Sequence, residues 1–572
     1  MEARSTDRRT EPRRGIVVRV GLTLAATGIV SAAIDRRALA GAPHDVPVAV
    51  GFGLFLALLL IATLRRPTPG ATWLALAAMA VVYLLAAGEL AASLVGMIAY
   101  VLFALGGVLV SAPHLRPLMV GTFALWTPAL WLFGPTEALD EVPAILRVAS
   151  VAVLAFTVVA IADPRRTHPS ERLRRAGYGI LAIAVVSATI DRGLVVVNVG
   201  LDPGQLLALV AAVALPALAY DRMRPARREL LATAIALTAF SFTGVAYILG
   251  TPYHVDVVAA VHRAAELFLA GQDPYATFGL PDALARFALD PELATHLLDG
   301  SVIHTYSYPA LSFLVVAPFV WLGLDDIRWI YLGEVVLIGV IAVRQLRPAW
   351  RSIALATLVG NEIVTTQWIL AGIDPSWALG VLVAWLVRSH RWASSIFFGL
   401  ALADRQPAWF VTPFFLLAIA QREGGREAVR RAAIATAVAL AVNAPFIVGA
   451  PERAVGGMLA PIFAPLVSDG VGLMRYGAAG IFPQPDRLVY TALSVAALVG
   501  LLALLWRRPR HLAGAPLVWP FLPLYLAWRS LPNYFAAAPL FALVGDDELA
   551  DGPLPSPAPA PDAQRTAPRS AS

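Results

Sequence analysis

The residues of this chain best suited to chemistry lie in a polar island, Thr251 to Phe319, between two long apolar regions. Seven acids (Asp256, Glu266, Asp273, Asp282, Asp290, Glu292 and Asp299) face only two arginines there, Arg263 and Arg286. Four of the nine histidines, His254, His262, His296 and His304, are also in it. A carboxylate just outside an apolar run can take a proton from a hydroxyl, and arginines at span ends can hold an anion. The histidines match no compact zinc spacing, and there is no Asp-x-Asp pair or cysteine. The expectation is therefore no metal and no cofactor, and thiol catalysis and disulfides are excluded.

The first acid of the island needs an element to aim it. Val255 to Ala270 reads as an amphipathic helix with Gly271 as its cap. Asp256, Arg263 and Glu266 are seven and ten residues apart and fall near one face. The apolar end Leu267-Phe268-Leu269 predicts a helix lying on the outer membrane surface, with its acids toward a lipid-bound substrate. The plainer explanation of the same pattern is a solvated interfacial helix.

Composition sets the frame. The chain has 572 residues, 58% hydrophobic and 14% charged, and a mean hydropathy of +0.71. Soluble domains carry about 25% charged residues, so an integral membrane protein is expected. The net charge of +6 is all arginine on the basic side. Those arginines cluster at span ends, where they orient helices rather than bind nucleic acid. Counting apolar runs gives roughly 14–18 membrane segments. The basic N-terminus precedes an apolar run without a convincing cleavage site, so that run reads as a first span.

Arginine asymmetry predicts cytoplasmic positions for Arg65-Arg66, Pro164–Arg175, Arg222–Arg228, Arg422–Arg431 and Arg507–Arg510. The 251–308 loop and the 451–487 segment then face outward. One conflict arises. The loop, Asp325–Arg328 and Arg344–Arg351 cannot alternate if each apolar run between them crosses once, so either one run there is re-entrant or the arginine rule fails locally. An internal repeat pairs Ile29–Arg36 with Val185–Arg192. It would place Asp35 and Asp191 at a substrate or ion site, or simply at the ends of spans. Glu362 and Asp374 flank an apolar run and read as structural or path-lining. The Pro/Ala/Ser-rich tail, 546–572, reads as disordered.

Several segments in order carry a family resemblance. Asp256 follows a span and precedes Gly271-Gln272-Asp273-Pro274-Tyr275; Tyr306-Ser307-Tyr308-Pro309-Ala310-Leu311 follows about thirty residues later. Gly399-Leu400-Ala401-Leu402-Ala403-Asp404-Arg405-Gln406-Pro407, Asn443-Ala444-Pro445-Phe446 and Arg529-Ser530-Leu531-Pro532-Asn533-Tyr534-Phe535 come after them. This order, over roughly residues 230–545, resembles the GT-C superfamily of polytopic glycosyltransferases. It is most similar to the glycosyltransferase 87 group, which includes polyprenyl-phosphate-mannose-dependent mannosyltransferases. The chain departs from that pattern with Tyr-Pro-Ala for Tyr-Pro-Pro, and with Arg405 where lysine is common.

The resemblance implies an all-α polytopic transmembrane helical bundle with a GT-C-like core and a large first outer loop. Its divisions would be an N-terminal transmembrane region at 1–228, a catalytic core at 229–545 and the tail at 546–572. It implies a catalytic base at Asp256, with Glu266 as second choice. Arg405 and Arg529 would hold the leaving phosphate, and Gln406, Tyr534, Asp273, Tyr275, Tyr306 and Tyr308 would contact substrate. The implied partners are a polyprenyl-phosphate sugar donor, a glycolipid or glycan acceptor and the lipid bilayer, with the active site outside the cytoplasm. The competing readings are a transporter or lipid flippase, favoured by the repeat, and an inactive envelope scaffold. The long acidic loop favours an enzyme, because transporters keep their polar sites near the midplane.

Overall fold

The computed structural model describes residues 175, 177–186, 203–221, 223–361, 363–470, 472–478, 483–507 and 515–545. Most of the 1–228 region, the repeat apart from Val185 and Val186, Glu362 and the tail lie outside the described residues. What is described is mostly helical. Helices α1 (Pro203–Tyr220) and α2 (Pro225–Gly250) precede the island. Within it stand α3 (Asp256–Leu269), α4 (Pro274–Thr277), α5 (Leu280–Arg286), α6 (Leu311–Leu314) and α7 (Ala317–Trp321). Helices α8 (Arg328–Gln345) and α9 (Pro348–Val359) lead to a π-helical segment, Val364–Leu370. Then follow α10 (Ser376–Leu386), α11 (Arg391–Leu402), α12 (Pro407–Glu423), α13 (Gly425–Gly449) and α14 (Pro451–Phe463). Helices α15 (Met474–Ala478), α16 (Arg487–Arg507), α17 (Ala515–Val518), α18 (Phe521–Leu526) and α19 (Ala538–Gly545) complete the set. Two short strands, β1 (Asp469–Gly470) and β2 (Arg529–Ser530), pair in parallel.

Proline opens α2, α9, α12 and α14, where its missing N–H costs nothing and its fixed φ suits the first turn. Gly424, at φ +96°, reverses the chain between α12 and α13, a conformation that a Cβ would strain.

Among the described residues, three helices are long and apolar enough to cross a bilayer: α2, α13 and α16. Only 17% and 22% of the apolar windows of α13 and α16 are buried within the protein. Val448 and Leu488 are among the large side chains exposed along them. The segments Trp350–Val359 and Val364–Leu370 form a further apolar pair, bent by 60° across the break between them.

Contacts sort the helix termini into two ends. At one end the Arg431 guanidinium bonds Glu427, Glu423 and the Arg388 carbonyl, and Gln421 reaches the Leu505 carbonyl. This is the arginine-rich end. At the other end Arg328 donates to the carbonyls of Ile248, Thr251 and Leu370. Asp325–Arg328 therefore sits beside the start of the island, on the same side. The apolar run between them, Leu311–Trp321, is about 16 Å long at 1.5 Å per residue, half of a ~30 Å bilayer core. At that length it falls short of a spanning helix, and Asp325–Arg328 lies beside the start of the island.

The helices pack around one large apolar core, with Trp350, Trp368, Trp377 and Trp385 fully buried in it. A second core gathers α3, α5, Tyr306 and Phe313 of the island with Phe446 of α13. Each Leu or Phe buried there contributes about 1.5–3 kcal/mol. Helix α3 has the expected extent, with Ala270 as C-cap and Gly271 at φ +74°. Its position differs from expectation. Val258, Ala259, Val261, Ala264 and Ala265 are all buried, so α3 is the centre of a folded cap rather than a helix lying on a surface. The short helices α4 and α5, too brief to show as periodic patterns, supply the cover.

Candidate active site

Asp256 is the first residue of α3, because Val255 before it is still extended. Its Oδ2 accepts from the Thr295 hydroxyl at 2.6 Å and the Thr295 N–H at 3.1 Å. Burial pushes the Asp256 carboxyl above the ordinary aspartate range, against the opposing pull of the Thr295 bonds and the Arg529 charge. A raised pKa makes a carboxylate a better proton acceptor.

Asp256 lines a partly open cleft. Its other walls come from three distant stretches. The α11–α12 junction brings Arg405 and Gln406; the end of the island brings Thr305, Ser307 and Tyr308; the segment after α18 brings Arg529, Asn533 and Tyr534. Pro461 and Leu466 lie across it from the α14 side. Backbone pairing fixes that side. Leu298 N–H donates to Pro465 O and Val467 N–H to His296 O, so 464–467 rests on the island.

Arg405 is 5% exposed. Its guanidinium carbon lies 3.8 Å from the centre of the Tyr308 ring, and its Nε faces Asp374 Oδ2 at 3.4 Å. Its Nη2 has no hydrogen-bond partner. Gln406 donates to the carbonyls of Ser307 and Met458, so it clamps the walls together. Arg529 reaches the Val467 carbonyl at 3.3 Å and Asp469 at 3.8 Å. The β1–β2 pairing holds it over the cleft edge.

Behind Arg405 stands a layer of buried acids. Asp374 accepts from Ser376 N–H, and the Ser376 hydroxyl donates to Glu334. Asp404, 1% exposed, adjoins Asp374. Asp374 thus holds the arginine from behind.

Of the ten site residues expected, the structure gathers Asp256, Arg405, Gln406, Arg529, Tyr534 and Tyr308 around one cleft. Glu266, Asp273, Tyr275 and Tyr306 are not in its lining. Glu266 is ten residues along α3, about 15 Å away. It pairs with Arg263 and Arg286 at 2.9 Å each. Burial raises its pKa, but the bonds from both arginines outweigh this and hold it below the usual glutamate range. Asp273 caps α4 by accepting from Tyr275 N–H. Tyr306 is fully buried against Phe278 and Phe313. The Tyr275 hydroxyl donates to the Tyr308 carbonyl at 2.6 Å, so Tyr275 steadies the ring on which Arg405 stacks. Gly457 of α14 packs against the Tyr306 carbonyl so closely that a Cβ would clash.

Thr295 and Asn533 were not legible as site residues. Neither type in a loop distinguishes itself, and only the fold brings Thr295 back to Asp256 across 39 positions. The histidines disperse: His262 stacks beside Phe287, while the His296 carbonyl pairs with Val467.

No family model matches the chain, and no curated protein or solved structure matches it either.

Proposed function

We propose that the chain is a membrane glycosyltransferase that moves a sugar from a polyprenyl-phosphate donor to an extracytoplasmic envelope acceptor. The observation that carries this reading is one cleft holding Asp256 together with Arg405 and Arg529. The acceptor hydroxyl gives its proton to the Asp256 carboxylate as its oxygen bonds to the anomeric carbon. The bond from that carbon to the phosphate oxygen breaks, and the phosphate leaves with the electron pair. It departs already ionised, so no acid is required there, and Arg405 and Arg529 stabilise its charge. The barely buried apolar faces of α13 and α16 support a bilayer setting, since water tolerates exposed apolar patches of that size poorly. A polytopic bundle with a GT-C-like core is part of the same proposal, as is the outward position of the island.

Supplied with a polyprenyl-phosphate sugar and a membrane acceptor fraction, the purified protein should release polyprenyl phosphate and label the acceptor. Absence of transfer from every such donor would overturn the enzyme reading in favour of a transporter or scaffold.

Orientation has its own check, because the chain has no native cysteine. Asp282 and Arg426 are both exposed. Asp282→Cys should react with an impermeant maleimide on intact cells, and Arg426→Cys only after permeabilisation. The reverse pattern would remove the proposed mechanism from the side where the acceptor lies.

Arg529→Gln should raise the donor KM about tenfold and leave the acceptor KM unchanged, since only the donor carries phosphate. The modest size follows from partial solvation of this arginine. An unchanged donor dependence would make it an anchor of the β1–β2 pairing only.

A further inference from the structure

Two donors of a single loop residue fall on a single oxygen of Asp256. The Thr295 hydroxyl and the Thr295 N–H both donate to Oδ2, at 2.6 and 3.1 Å. The first is as short as the bonds that hydroxyls make to ionised acceptors. Thr295 also lines the cleft beside Asp256.

The island holds that threonine in place. Residues 295–303 fold back as a short hairpin about Asp299-Gly300, a pair suited to a tight turn. Asp299 Oδ1 accepts from the Ser301 N–H and hydroxyl, and Gly300 takes φ +82°. Leu297 N–H donates to Ser301 O at 2.7 Å, and Ile303 N–H to Thr295 O at 3.1 Å. His296 pairs with Val302 across the hairpin. On the outer edge His296 O accepts from Val467 N–H at 3.0 Å. The Thr295 backbone is therefore bonded through its own N–H, its own carbonyl and the carbonyl that follows. Its branched Cβ restricts χ1, so the hydroxyl is held as well.

Left to itself, an aspartate carboxyl turns broadly about χ2. Gripped by one oxygen from a pinned residue, it has a set plane. Oδ2, shared between two donors, is the poorer proton acceptor, and Oδ1 is the better one. We infer that Thr295 is a positioning residue for the transfer: it grips Asp256 by Oδ2 and so leaves Oδ1 to take the proton of the acceptor hydroxyl. This rests on the base proposed above and adds the residue that aims it.

The same bonds favour the charged carboxyl, against the burial that disfavours it. Loss of the hydroxyl should therefore raise the pH at which the base ionises. The other charged or titratable side chains of the cleft lining are Arg405, Arg529, Tyr308 and Tyr534, and arginines and phenols do not titrate in the acid range. His254, His262, His296 and His304 lie outside the lining and are present in every variant compared.

The test is the pH dependence of kcat/KM for the donor, measured on the purified full chain with a membrane acceptor fraction. The donor is farnesyl phosphoryl mannose, glucose or arabinose, whichever the wild type uses. Thr295→Val keeps the N–H and the shape but loses the hydroxyl. Its rate at neutral pH should fall about tenfold, and its acid limb should move up by about 1 pH unit. Thr295→Ser returns the hydroxyl on a freer rotor, so it should recover most of the rate and bring the limb back. Thr295→Ala removes the hydroxyl without added bulk, and carries the same expectation if valine disturbs the hairpin. A lower rate with an unmoved limb in the valine and alanine variants, or a serine variant no better than they are, makes Thr295 a strut of the hairpin only. An unchanged rate and limb removes it from the site, with the enzyme reading intact. Wild type that transfers from none of the three donors overturns the enzyme reading, and the inference with it.

Discussion

Asp256→Asn is expected to cut transfer by about 10²–10⁴-fold, the usual consequence of removing a positioned general base. The amide keeps the size of the side chain and still accepts from Thr295, so its contacts with N–H and Oγ1 survive. It cannot take the acceptor's proton. The measurement is initial rate at saturating donor in membranes with matched protein levels. Near-wild-type rate would remove Asp256 from the mechanism. Glu266→Gln should be far milder, because Glu266 is tied up with Arg263 and Arg286 outside the cleft.

The same carboxyl predicts two pH dependences. Its folded pKa lies above the ordinary aspartate value because burial disfavours the charged form. The base form is needed for transfer, so the rate should rise with pH through an apparent pKa higher than about 3.9. For stability the sign runs the other way. A raised folded pKa favours the protonated protein, so its contribution is present below the unfolded aspartate pKa and is lost as pH rises through the folded one. Asp256→Asn removes that loss. Its Tm at neutral pH should match or exceed wild type, and the advantage should vanish near pH 3.5. A variant that is both inactive and less stable at neutral pH would point to a structural aspartate.

Helix α3 and its cap residue were legible because periodicity and a glycine stop are local signals. The place of Asp256 in the cleft was legible for a related reason: it is the first acid after an apolar run. Arg405 and Arg529 could be singled out as arginines beside proline and aromatic residues, but their convergence could not. They are separated by 124 positions, and neither has a periodic relation to the other. Glu266 illustrates the limit of helical-face reasoning. Ten residues place it within 80° of Asp256 around the axis yet about 15 Å along it, and Arg286 from α5 then captures it. The expectation that α3 lies on a surface failed because its small residues, Ala259, Ala260, Ala264 and Ala265, invite close packing, and nothing local announces α4 and α5 as the elements that pack there. The shortness of the helical run Leu311–Trp321 was hidden by composition: Val, Leu, Phe and Trp suit a bilayer or a protein core equally well.

Arg405→Met should be the most damaging single change in the second wall, and for two separable reasons. The first is folding. Arg405 is buried against Asp374, with Asp404 beside it, and its guanidinium stacks on Tyr308. Removing one partner of a buried ion pair typically costs about 3–5 kcal/mol, because the other charge stays buried and uncompensated. The second is chemistry. A cation aimed at a departing phosphate contributes about 10²–10³-fold in rate. The double variant Arg405→Met/Asp374→Asn separates the two. Taking away both charges leaves no orphaned anion in that pair, so thermal stability should return most of the way to wild type. Transfer should stay at least 10²-fold down, because the phosphate still lacks its partner. Arg405→Lys should fold better than Arg405→Met but keep only part of the rate, since a point charge cannot reproduce a planar guanidinium that stacks on Tyr308 while offering donors to both Asp374 and the cleft. Recovery of transfer together with stability in the double variant would reduce Arg405 to scaffolding and leave Arg529 as the cation nearest the leaving group.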